Sequence, residues 1–491
     1  MTMKKLGICK LLFGMLSVLV CSGAFGQKTV TGEDVRKDRA RRIVLPQNDG
    51  HYRQVKNYVE DEPDADYLHA SEKAHEAFRD IKYSIRIHWG VYSMWEIEAS
   101  WPFLKMDNEK KQEYQELYKR FNPTAFDADE WMSWFKNCGM QAFAFTTKHH
   151  DGFSMFHTKT KVTQRANYLN PEIRIEPCDL AYSIEETPFK RDIVKELCEA
   201  ARRKGIKIDL YFSHPDWYDA DFRPYVSHPL RNIARTPEET ARLVARHREQ
   251  LHELLTNYGK IDMICFDMWM DSDVWPQLRE TVKLMRKWQP DVMLRARGVG
   301  NYGDYYQPEQ EVPKGVENTN MPWMSICLLG KIFAYDPVAG NYKGAPWVIH
   351  NLIDCVAKGG SFMVCIGPDA TGKFHPKAME QLDEVGKWLK VNGKGIYETR
   401  DREVWKEGDV YFTRSKDHKQ VYAFVEKWPD TELIVPSVTP KKGSKIFMFG
   451  YKKPLKWTLT ENGVKIEIPD ELQSPGNRPC EHAWGFQFDV K

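Results

Sequence analysis

The sequence has 491 residues, too many for one small core, which indicates about two or three domains. Lysine and arginine number 71 against 69 aspartates and glutamates, so the formal charge is only +2. This balance argues against a strongly basic surface of the kind that binds nucleic acid or an anionic membrane. The chain is rich in tryptophan, with 16 residues, and flat aromatic faces stack on sugars as well as filling cores.

Residues 1–26 have the features of a secretory signal peptide. Lys4 and Lys5 give a basic start, an apolar stretch follows, and Ala24-Phe25-Gly26 matches a small-x-small cleavage site. A membrane anchor is the alternative, but the apolar stretch is short for a membrane span. We therefore expect an exported protein, periplasmic or secreted. Cleavage would remove three lysines and leave a formal charge of −1, with no further reason to associate with a membrane.

A repeating pattern of apolar runs begins near residue 80, after a polar stretch at 27–75 that we interpret as an N-terminal arm. Helical patterns separate the runs, and this alternation is typical of parallel strands joined by crossover helices. The runs lie at 83–90, 140–150, 206–214, 261–269, 291–298 and 360–368.

The helical patterns carry start and stop signals. Asp127 and Glu130 have the spacing of a capping box. The segment "TPFKRDIVKELCEAARRKG" predicts a helix with Thr187 as its cap, Pro188 in its first turn and Gly205 at its end. Further helical patterns fit roughly 236–257, 273–288, 346–358 and 376–390.

Residues 76–395 are therefore predicted to form an α/β domain of the (β/α)₈ barrel type, with two of its units hidden between 299 and 345. An open doubly wound sheet is the rival, but that fold usually has a glycine-rich phosphate loop after its first strand. Here the first run ends in the segment "HWG", which cannot cradle a pyrophosphate.

Residues 396–491 differ from the preceding region in their sequence pattern and are predicted to form a C-terminal antiparallel β-domain. Their apolar residues alternate with period two, as in half-buried strands. Asn462-Gly463 is a strong signal for a β-hairpin. No motif in this region indicates a catalytic function.

Polar residues stand at the ends of the apolar runs. A (β/α)₈ barrel forms its active site at the carboxyl ends of its strands, so these residues would meet on one face. One histidine at a strand end is usually structural, whereas several such strand ends favour a shared site. The residues are His88, His149, His150, Ser213, His214, Asp267 and Arg297.

The residue types favour carboxylate chemistry over the alternatives. A catalytic metal is not expected, because the adjacent His149 and His150 would face opposite ways within a strand, and no HExxH or clustered Cys/His set is present. A nucleophilic serine is not expected either, because the sequence has no G-x-S-x-G nucleophile elbow. Asp267 ends the apolar run "MICFD", where a carboxylate must be hydrogen-bonded or face a polar cavity. The alternative is that Asp267 has only a structural role, as a partner in a salt bridge.

Several segments together resemble glycoside hydrolase family 29, the α-L-fucosidases. The resemblance spans roughly residues 80–400, and the C-terminal β-domain is similar to the small β-sandwich of this family. It implies an exo-acting, retaining hydrolase of fucosylated glycans with a barrel domain and no metal or other cofactor. The segments are "IHWGVYS", "FNPTAFDADEW", "TTKHHDGF", "RDIVKELCEAARRKGIKIDLYFSHPDW", "ICFDMW", "GDYYQPEQ" and "VAKGGSFMVCIGPDATG".

The resemblance also implies roles for the two catalytic carboxyls. Asp267 occupies the place of the family's nucleophile. Glu309 lies twelve residues after Arg297 and matches the acid/base of one branch of the family. Glu311 and Glu317 are its close rivals.

The remaining site residues implied by the resemblance would bind the sugar. The histidines would hydrogen-bond its hydroxyl groups, the arginine belongs to the pocket, and the tryptophans are further pocket candidates. An apolar wall would fit the C5 methyl group of fucose. These residues are His88, His149, His150, Arg297, Trp89, Trp101 and Trp269.

Two positions depart from the family pattern. Met324 and Ser100 stand where many members have glutamate, and Glu98 or Glu96 are candidates to compensate for the second loss. The departures keep two alternatives open: a related α-L-glycosidase, such as an α-L-galactosidase, and a carbohydrate-binding protein that has lost its catalytic acid. A third alternative, a metal-dependent hydrolase, would require activity that a chelator abolishes.

Overall fold

A computed structural model describes residues 36, 39, 42–46, 59–223, 229–230, 232–316 and 318–491. The predicted signal peptide, most of the predicted arm and Glu317 lie outside these residues. Within the described ranges, no helix combines the length and apolar character that a membrane span needs.

Seven parallel strands form the main sheet, and a two-stranded antiparallel hairpin is inserted after the second strand. The bounds are β1 Tyr83–Ile87, β2 Ala142–Lys148, β3 Val162–Ala166, β4 Ile175–Leu180, β5 Lys207–Ser213, β6 Met263–Asp267, β7 Met293–Leu294, β8 Met324–Leu328 and β9 Ser361–Ile366. The spatial order of the main sheet is β7-β6-β5-β2-β1-β9-β8, and β3 pairs with β4. The main strands are buried along almost their whole length, as expected for a parallel sheet covered by helices.

The segment 305–309 closes this sheet into a barrel. One end of the segment bridges in parallel to Arg295, just beyond β7, and the other end bridges in parallel to Ile326 in β8. Pro308 has no N–H group for a regular ladder, which accounts for the isolated bridges. The predicted (β/α)₈ barrel is confirmed, and the two units hidden between 299 and 345 are this irregular eighth strand and β8.

Helices cover the outside of the barrel near the predicted positions. They are α1 Glu72–Asp80, α2 Asn108–Gln115, α3 Ala128–Asn137, α4 Ile193–Lys204, α5 Pro237–Thr256, α6 Trp275–Trp288, α7 Ala345–Ala357 and α8 Pro376–Asn392. As an example of the local causes, the Asp127 side chain accepts from the backbone N–H of Glu130 and starts α3. The buried face of α3 carries Trp131, Trp134 and Phe135.

The predicted start of α4 at Thr187 is wrong. Asp192 caps this helix by accepting from the N–H of Lys195 at 2.9 Å. Thr187 instead follows a short 3₁₀ helix, Ile184–Glu186, and its hydroxyl donates to the carbonyl of Ile184 at 2.7 Å. The Thr187 oxygen also accepts from the N–H groups of Phe189 and Lys190, at 3.2 and 3.3 Å. No helix follows this turn, because Lys190 has a left-handed backbone with φ of 59°, and the chain turns again before α4 begins.

The C-terminal region contains two antiparallel sheets. Its strands are β10 Lys406–Glu407, β11 Val410–Arg414, β12 Gln420–Val425, β13 Glu432–Val435, β14 Phe447–Met448, β15 Trp457–Thr460, β16 Gly463–Glu467 and β17 Trp484–Asp489. One sheet has the order β10-β11-β12-β17-β14 and the other β13-β16-β15. The predicted hairpin at Asn462-Gly463 joins β15 to β16, with Thr460 opposite Gly463. The predicted class, a barrel followed by antiparallel sheets, is confirmed.

Candidate active site

The buried end of β6 places Asp267 among polar groups from the neighbouring strands. Tyr211 of β5 donates its hydroxyl to Oδ2 of Asp267 at 2.7 Å, and Ser213 donates to the Tyr211 oxygen at 3.1 Å. Arg297 donates Nη1 to Oδ1 at 2.6 Å. Both oxygens of the Asp267 carboxylate are therefore held by hydrogen bonds.

The charges around Asp267 keep it ionised. Burial alone would raise the pKa of Asp267, but the guanidinium groups of Arg297 and Arg295 outweigh burial and hold the pKa well below its usual range. The Arg295 Nη1 atom lies 3.6 Å from Oδ1 of Asp267. The side chain is 12% exposed, so the ionised carboxylate keeps access to the outside of the barrel.

Glu309 shares the same guanidinium nitrogen. Arg297 Nη1 donates to Oε2 of Glu309 at 2.6 Å, and Arg295 Nη2 lies 3.4 Å from that oxygen. Because both carboxylates bond one nitrogen at 2.6 Å, the bonded oxygens of Asp267 and Glu309 lie at most two such distances apart. This upper limit is compatible with the separation of about 5–5.5 Å between the two carboxyl groups of retaining glycosidases and is too short for the wider spacing of inverting ones.

The other two predicted acid candidates differ from Glu309. Glu311 is exposed, and its backbone carbonyl accepts from the hydroxyl of Ser325 in β8. Glu317 lies outside the described residues. Of the two glutamates that the structure describes, it brings Glu309 to Asp267.

Each carboxylate is followed by a residue with a left-handed backbone. Met268, directly after Asp267, has φ of 59°, and Gln310, directly after Glu309, has φ of 61°. Non-glycine residues adopt this conformation at a cost of about 1–2 kcal/mol. Backbone strain of this kind clusters at functional sites.

Three histidines form the polar wall beside the carboxylates. The ring centroids of His88 and His149 are 5.4 Å apart, and those of His149 and His150 are 4.2 Å apart. Burial lowers the pKa of His150 to about 4 and holds the pKa values of His88 and His149 well below their usual range. Each ring is neutral near pH 7 and offers one donor and one acceptor.

The hydrogen bonds of His88 identify its tautomer. The Thr146 hydroxyl donates to the carbonyl of Ile87 at 3.0 Å, so its oxygen accepts from Nδ1–H of His88 at 3.3 Å. Nε2 of His88 is then left as an acceptor for a hydroxyl hydrogen. The ring of Phe333 packs edge-on against His88, with centroids 5.1 Å apart.

His149 and His150 differ in their hydrogen bonding. His149 Nδ1 bonds the hydroxyl of Ser100 at 2.6 Å. Among the described residues, neither ring nitrogen of His150 has a hydrogen-bond partner, and Nε2 lies 3.6 Å from Oδ2 of Asp267. A buried imidazole without partners is costly, which makes His150 a natural partner for a bound hydroxyl group.

The three candidate tryptophans occupy different places. Trp101 packs edge-on against His150 with centroids 4.7 Å apart and belongs to the wall of the site. Trp89 is a correction to the expected set: its ring packs against Phe126 and Trp131 in the core, and its indole donates to the carbonyl of Asp369. Trp269 lies two residues after Asp267 and is half-buried.

The loop before Trp101 carries another acidic group. Oε2 of Glu98 accepts from the backbone N–H of Phe333 at 2.9 Å. Burial raises the pKa of Glu98 to about 7, and the negative charge of Glu309 adds to the effect. Glu98 is thus a protonatable carboxyl electrostatically coupled to Glu309.

Sequence reasoning missed Tyr211 and Arg295. Both lie inside apolar runs, where Tyr211 resembles an ordinary core aromatic residue. Arg295 had a usable signal, since it lies two residues before Arg297, and residues two apart on an extended segment face the same side. His214, predicted at the end of its run, instead pairs with His247, with 3.1 Å between Nδ1 and Nε2. Met324 is buried in the barrel core, where its sulfur accepts from the hydroxyl of Ser84 at 3.3 Å.

An ionised carboxylate, a second carboxyl within bonding reach of the same guanidinium and a wall of neutral imidazoles are suited to sugar transfer by double displacement. The barrel and this geometry define the class: a retaining glycoside hydrolase. The family model described as Alpha-L-fucosidase matches residues 51–394, and that described as Alpha-L-fucosidase C-terminal domain matches residues 405–489. The chain therefore belongs to the α-L-fucosidases of glycoside hydrolase family 29.

Curated relatives and solved structures agree with this assignment. The chain is 28% identical over 448 residues to the plasma α-L-fucosidase of Homo sapiens, covering 83% of this chain and 88% of that protein. A family 29 α-L-fucosidase of Bacteroides thetaiotaomicron, solved as a trapped covalent intermediate with 2-fluoro-fucosyl fluoride, shares 25% identity and a TM-score of 0.70, covering 89% of this chain and 99% of that chain. Isoenzyme 1 from Paenibacillus thiaminolyticus shares the fold, with a TM-score of 0.72 at 24% identity, covering 86% and 99% of the two chains.

Proposed function

We propose that this protein is an exo-acting α-L-fucosidase in which Asp267 is the nucleophile and Glu309 is the general acid/base. The observation that carries the proposal is the shared contact of both carboxylates with Arg297 Nη1, at 2.6 Å each. That contact keeps the bonded oxygens at most twice 2.6 Å apart, which is compatible with retaining chemistry. The substrate class is terminal α-L-fucosides of glycans, in keeping with the family.

The first chemical step forms a glycosyl ester on the enzyme. Oδ1 or Oδ2 of Asp267 attacks the anomeric carbon, the glycosidic bond breaks, and Glu309 gives its proton to the leaving oxygen. The low pKa of Asp267 keeps the nucleophile ionised at the pH of the reaction. Arg297 holds both carboxyls while charge moves between them.

The second step hydrolyses the ester. Esterification removes the negative charge of Asp267, which favours the ionised form of Glu309 and lets it take a proton from water. The oxygen of that water bonds to the anomeric carbon, and the carboxylate of Asp267 leaves. Two inversions at one carbon retain its configuration.

Neutral imidazoles suit the recognition of fucose. His88 Nε2 is free to accept from a hydroxyl, and both nitrogens of His150 lack partners among the described residues. A sugar that bonds these groups satisfies buried polar atoms, so an analogue without the matching hydroxyl should bind less well. The Trp101 ring against His150 supplies apolar surface of the kind that the C5 methyl group of fucose needs.

Export is part of the proposal. The basic, apolar and small-residue pattern of residues 1–26 supports cleavage and release into the periplasm or outside the cell. Fractionation of the native host, with sequencing of the mature N-terminus, tests this directly. A mature protein that retains residues 1–26 in the cytoplasm would contradict it.

Two variants test the catalytic roles on aryl α-L-fucosides. Asp267→Asn should remove turnover of all of them, with a loss of at least about 10⁴-fold in kcat. Glu309→Ala should slow substrates with poor leaving groups far more than activated ones, because only the former need a proton. Azide should restore turnover of an activated substrate by Glu309→Ala, since a small anion can replace the water that this variant no longer activates.

The same assays separate the alternatives. Faster hydrolysis of an α-L-galactoside than of the matching α-L-fucoside would favour a related α-L-glycosidase. Fucose binding without hydrolysis of any activated substrate would favour a binding protein. Normal turnover by Asp267→Asn would end the proposal.

A further inference from the structure

A buried network of ion pairs holds the segment 148–152, which carries the paired histidines. Lys148 ends β2 directly before His149, and its Nζ lies 3.6 Å from Oδ2 of Asp216. Arg246 of α5 forms an ion pair with the same oxygen of Asp216. Lys148 and Asp216 are each only 1% exposed, and Arg246 is 6% exposed, so the three charges are shielded from water.

Asp216 also touches the turn on the far side of the histidine pair. Gly152 has φ of 85°, and a Cβ atom at this position would overlap Oδ1 of Asp216. The backbone N–H of Trp217, the next residue, donates to the carbonyl of His150 at 2.7 Å. The Trp217 ring then packs on the His150 ring, with centroids 5.3 Å apart.

We propose that Asp216 is a positioning residue for sugar binding, which acts through Lys148, Gly152 and the backbone of His150. It holds the segment 148–152 so that the two imidazoles face the sugar hydroxyls beside Asp267. The proposal rests on the proposed function, because it assigns the histidines to sugar binding. Within the part of the chain that the structure describes, the Asp216 side chain makes no hydrogen bond or ion pair with Asp267 or Glu309.

The energetics of the network explain why its loss would move the histidines. Asp216 is the anion between two buried cations, and removing one partner of a buried ion pair leaves an uncompensated charge. The Lys148 ammonium lies over the Phe212 ring, 4.4 Å from its centroid, a contact that cannot replace a carboxylate. Burial lowers the pKa of Lys148 to about 8 even with Asp216 present, so without this carboxylate Lys148 either loses its proton or shifts. In both cases the ionic contact that holds the segment before His149 is lost.

A matched pair of variants tests the proposal. Asp216→Asn removes the central charge, and Asp221→Asn is the control. Asp221 lies in the same loop as Asp216 and is 2% exposed. It accepts two hydrogen bonds, at 2.9 and 2.8 Å, from the guanidinium of Arg242 in α5. Within the described part of the chain, its side chain has no hydrogen bond or ion pair with residues 148–152.

Three measurements are made on each full-length variant: thermal unfolding, the Kd of L-fucose by calorimetry, and kcat and KM on an activated aryl α-L-fucoside. Both variants should lose stability. Asp216→Asn should weaken fucose binding and raise KM by about tenfold or more, with a smaller change in kcat, whereas Asp221→Asn should change Kd and KM less than about threefold. Equal effects of the two variants on Kd and KM would overturn the proposal.

A second variant covers the case in which Asp216→Asn does not fold. Lys148→Met keeps the length of the side chain and leaves the pair of Asp216 with Arg246. It should raise the Kd of fucose, and the double variant Lys148→Met/Asp216→Asn should lose less binding free energy than the two single losses together. Unchanged fucose affinity in Lys148→Met would overturn the proposal. A wild-type protein that neither binds fucose nor cleaves the aryl fucoside would instead contradict the proposed function.

Discussion

At the residue scale, one nitrogen atom organises the chemistry. Arg297 Nη1 contacts Oδ1 of Asp267 and Oε2 of Glu309, so it limits the spacing of the two carboxylates and favours the ionised form of Asp267, the proposed nucleophile. A planar guanidinium can direct donors to two acceptors in fixed geometry, whereas an ammonium group is a point charge on a flexible stem. Keeping the charge is therefore not enough to keep the site.

Arg297→Lys is the variant that separates charge from geometry. We expect kcat/KM on an aryl α-L-fucoside to fall by about 100-fold, because lysine cannot hold both carboxylates in place. Tyr211→Phe is the comparison: it removes one hydrogen bond to Asp267 from a neutral donor and should cost about tenfold. An Arg297→Lys variant within about threefold of wild type would show that charge alone suffices.

Glu98 makes folding stability depend on pH. Burial raises its pKa in the folded protein from an ordinary value of 4.5 to about 7. The folded state therefore holds a proton that the unfolded state has lost between these values, so this contribution to stability is present below pH 4.5 and is lost as pH rises through about 7. Glutamine at this position keeps the bond from Phe333 and cannot ionise.

Glu98→Gln should consequently gain stability relative to wild type as pH rises. Thermal unfolding of both proteins from about pH 4 to about pH 8 gives the difference in Tm at each pH. Glu96→Gln, at an exposed position in the same loop, controls for general charge effects. A difference for Glu98→Gln that stays constant across the range would contradict the assignment of this group.

The residues predicted from the sequence were those that interrupt apolar runs. Asp267 and His149 each follow buried strand residues, so their polarity is visible without coordinates. Tyr211 could not be found this way, because a tyrosine inside a strand is equally suited to a core. Trp89 follows His88 directly, beyond the end of β1, and its ring packs in the core against Phe126 and Trp131, which a sequence pattern does not reveal.

At the element scale, the hidden eighth strand explains why the proposed acid/base could not be derived from periodicity. The segment 305–309 holds its place by isolated bridges, and Pro308 interrupts any regular ladder. Without a strand pattern, Glu309 was assigned only through its distance from Arg297 in a family motif. Six of the seven strands of the main sheet, all except β8, were predictable, because each is a buried apolar run bounded by a helix.

The turn after the histidine pair provides a test of element geometry. Gly152→Ala forces a methyl group onto Asp216 and strains a backbone with φ of 85°. Gly205→Ala is the matched control, because Gly205 has φ of 67° and open space around it. We expect Gly205→Ala to cost about 1 kcal/mol of unfolding free energy and Gly152→Ala about 1–3 kcal/mol more.

Fucose binding adds a second measurement for these glycines. Gly152→Ala should weaken it, because the turn positions His150, whereas Gly205→Ala at the end of α4 should leave it unchanged. Chemical denaturation and calorimetry on the same preparations provide both quantities. Equal losses of stability in the two variants would show that the contact with Asp216 is easily relieved.

At the scale of the whole molecule, the barrel and the C-terminal sheets share one apolar core. Trp388 of α8 is 2% exposed, and its indole donates to the carbonyl of Ala483 at 2.8 Å. Its ring lies 6.1 Å from that of Phe424 in β12. A second contact between the two regions is the ion pair of Arg400 with Asp80 of α1, at 2.9 Å. A separate cluster between the two C-terminal sheets forms a second core.

This continuity predicts that the full-length chain unfolds in one transition, and that Trp388 is needed for it. Trp388→Ala should remove about 3–5 kcal/mol and divide calorimetric unfolding into two steps, because it opens the contact between the barrel and the sheets. Trp428→Ala is the control: its indole bonds Gln473 at 3.1 Å and its ring packs on Trp484, all within the C-terminal region. That variant should lower stability without separating the transitions. If Trp388→Ala unfolds in a single transition whose Tm falls no more than that of Trp428→Ala, the two regions are joined mainly by other contacts. Arg400 would then be the next residue to substitute.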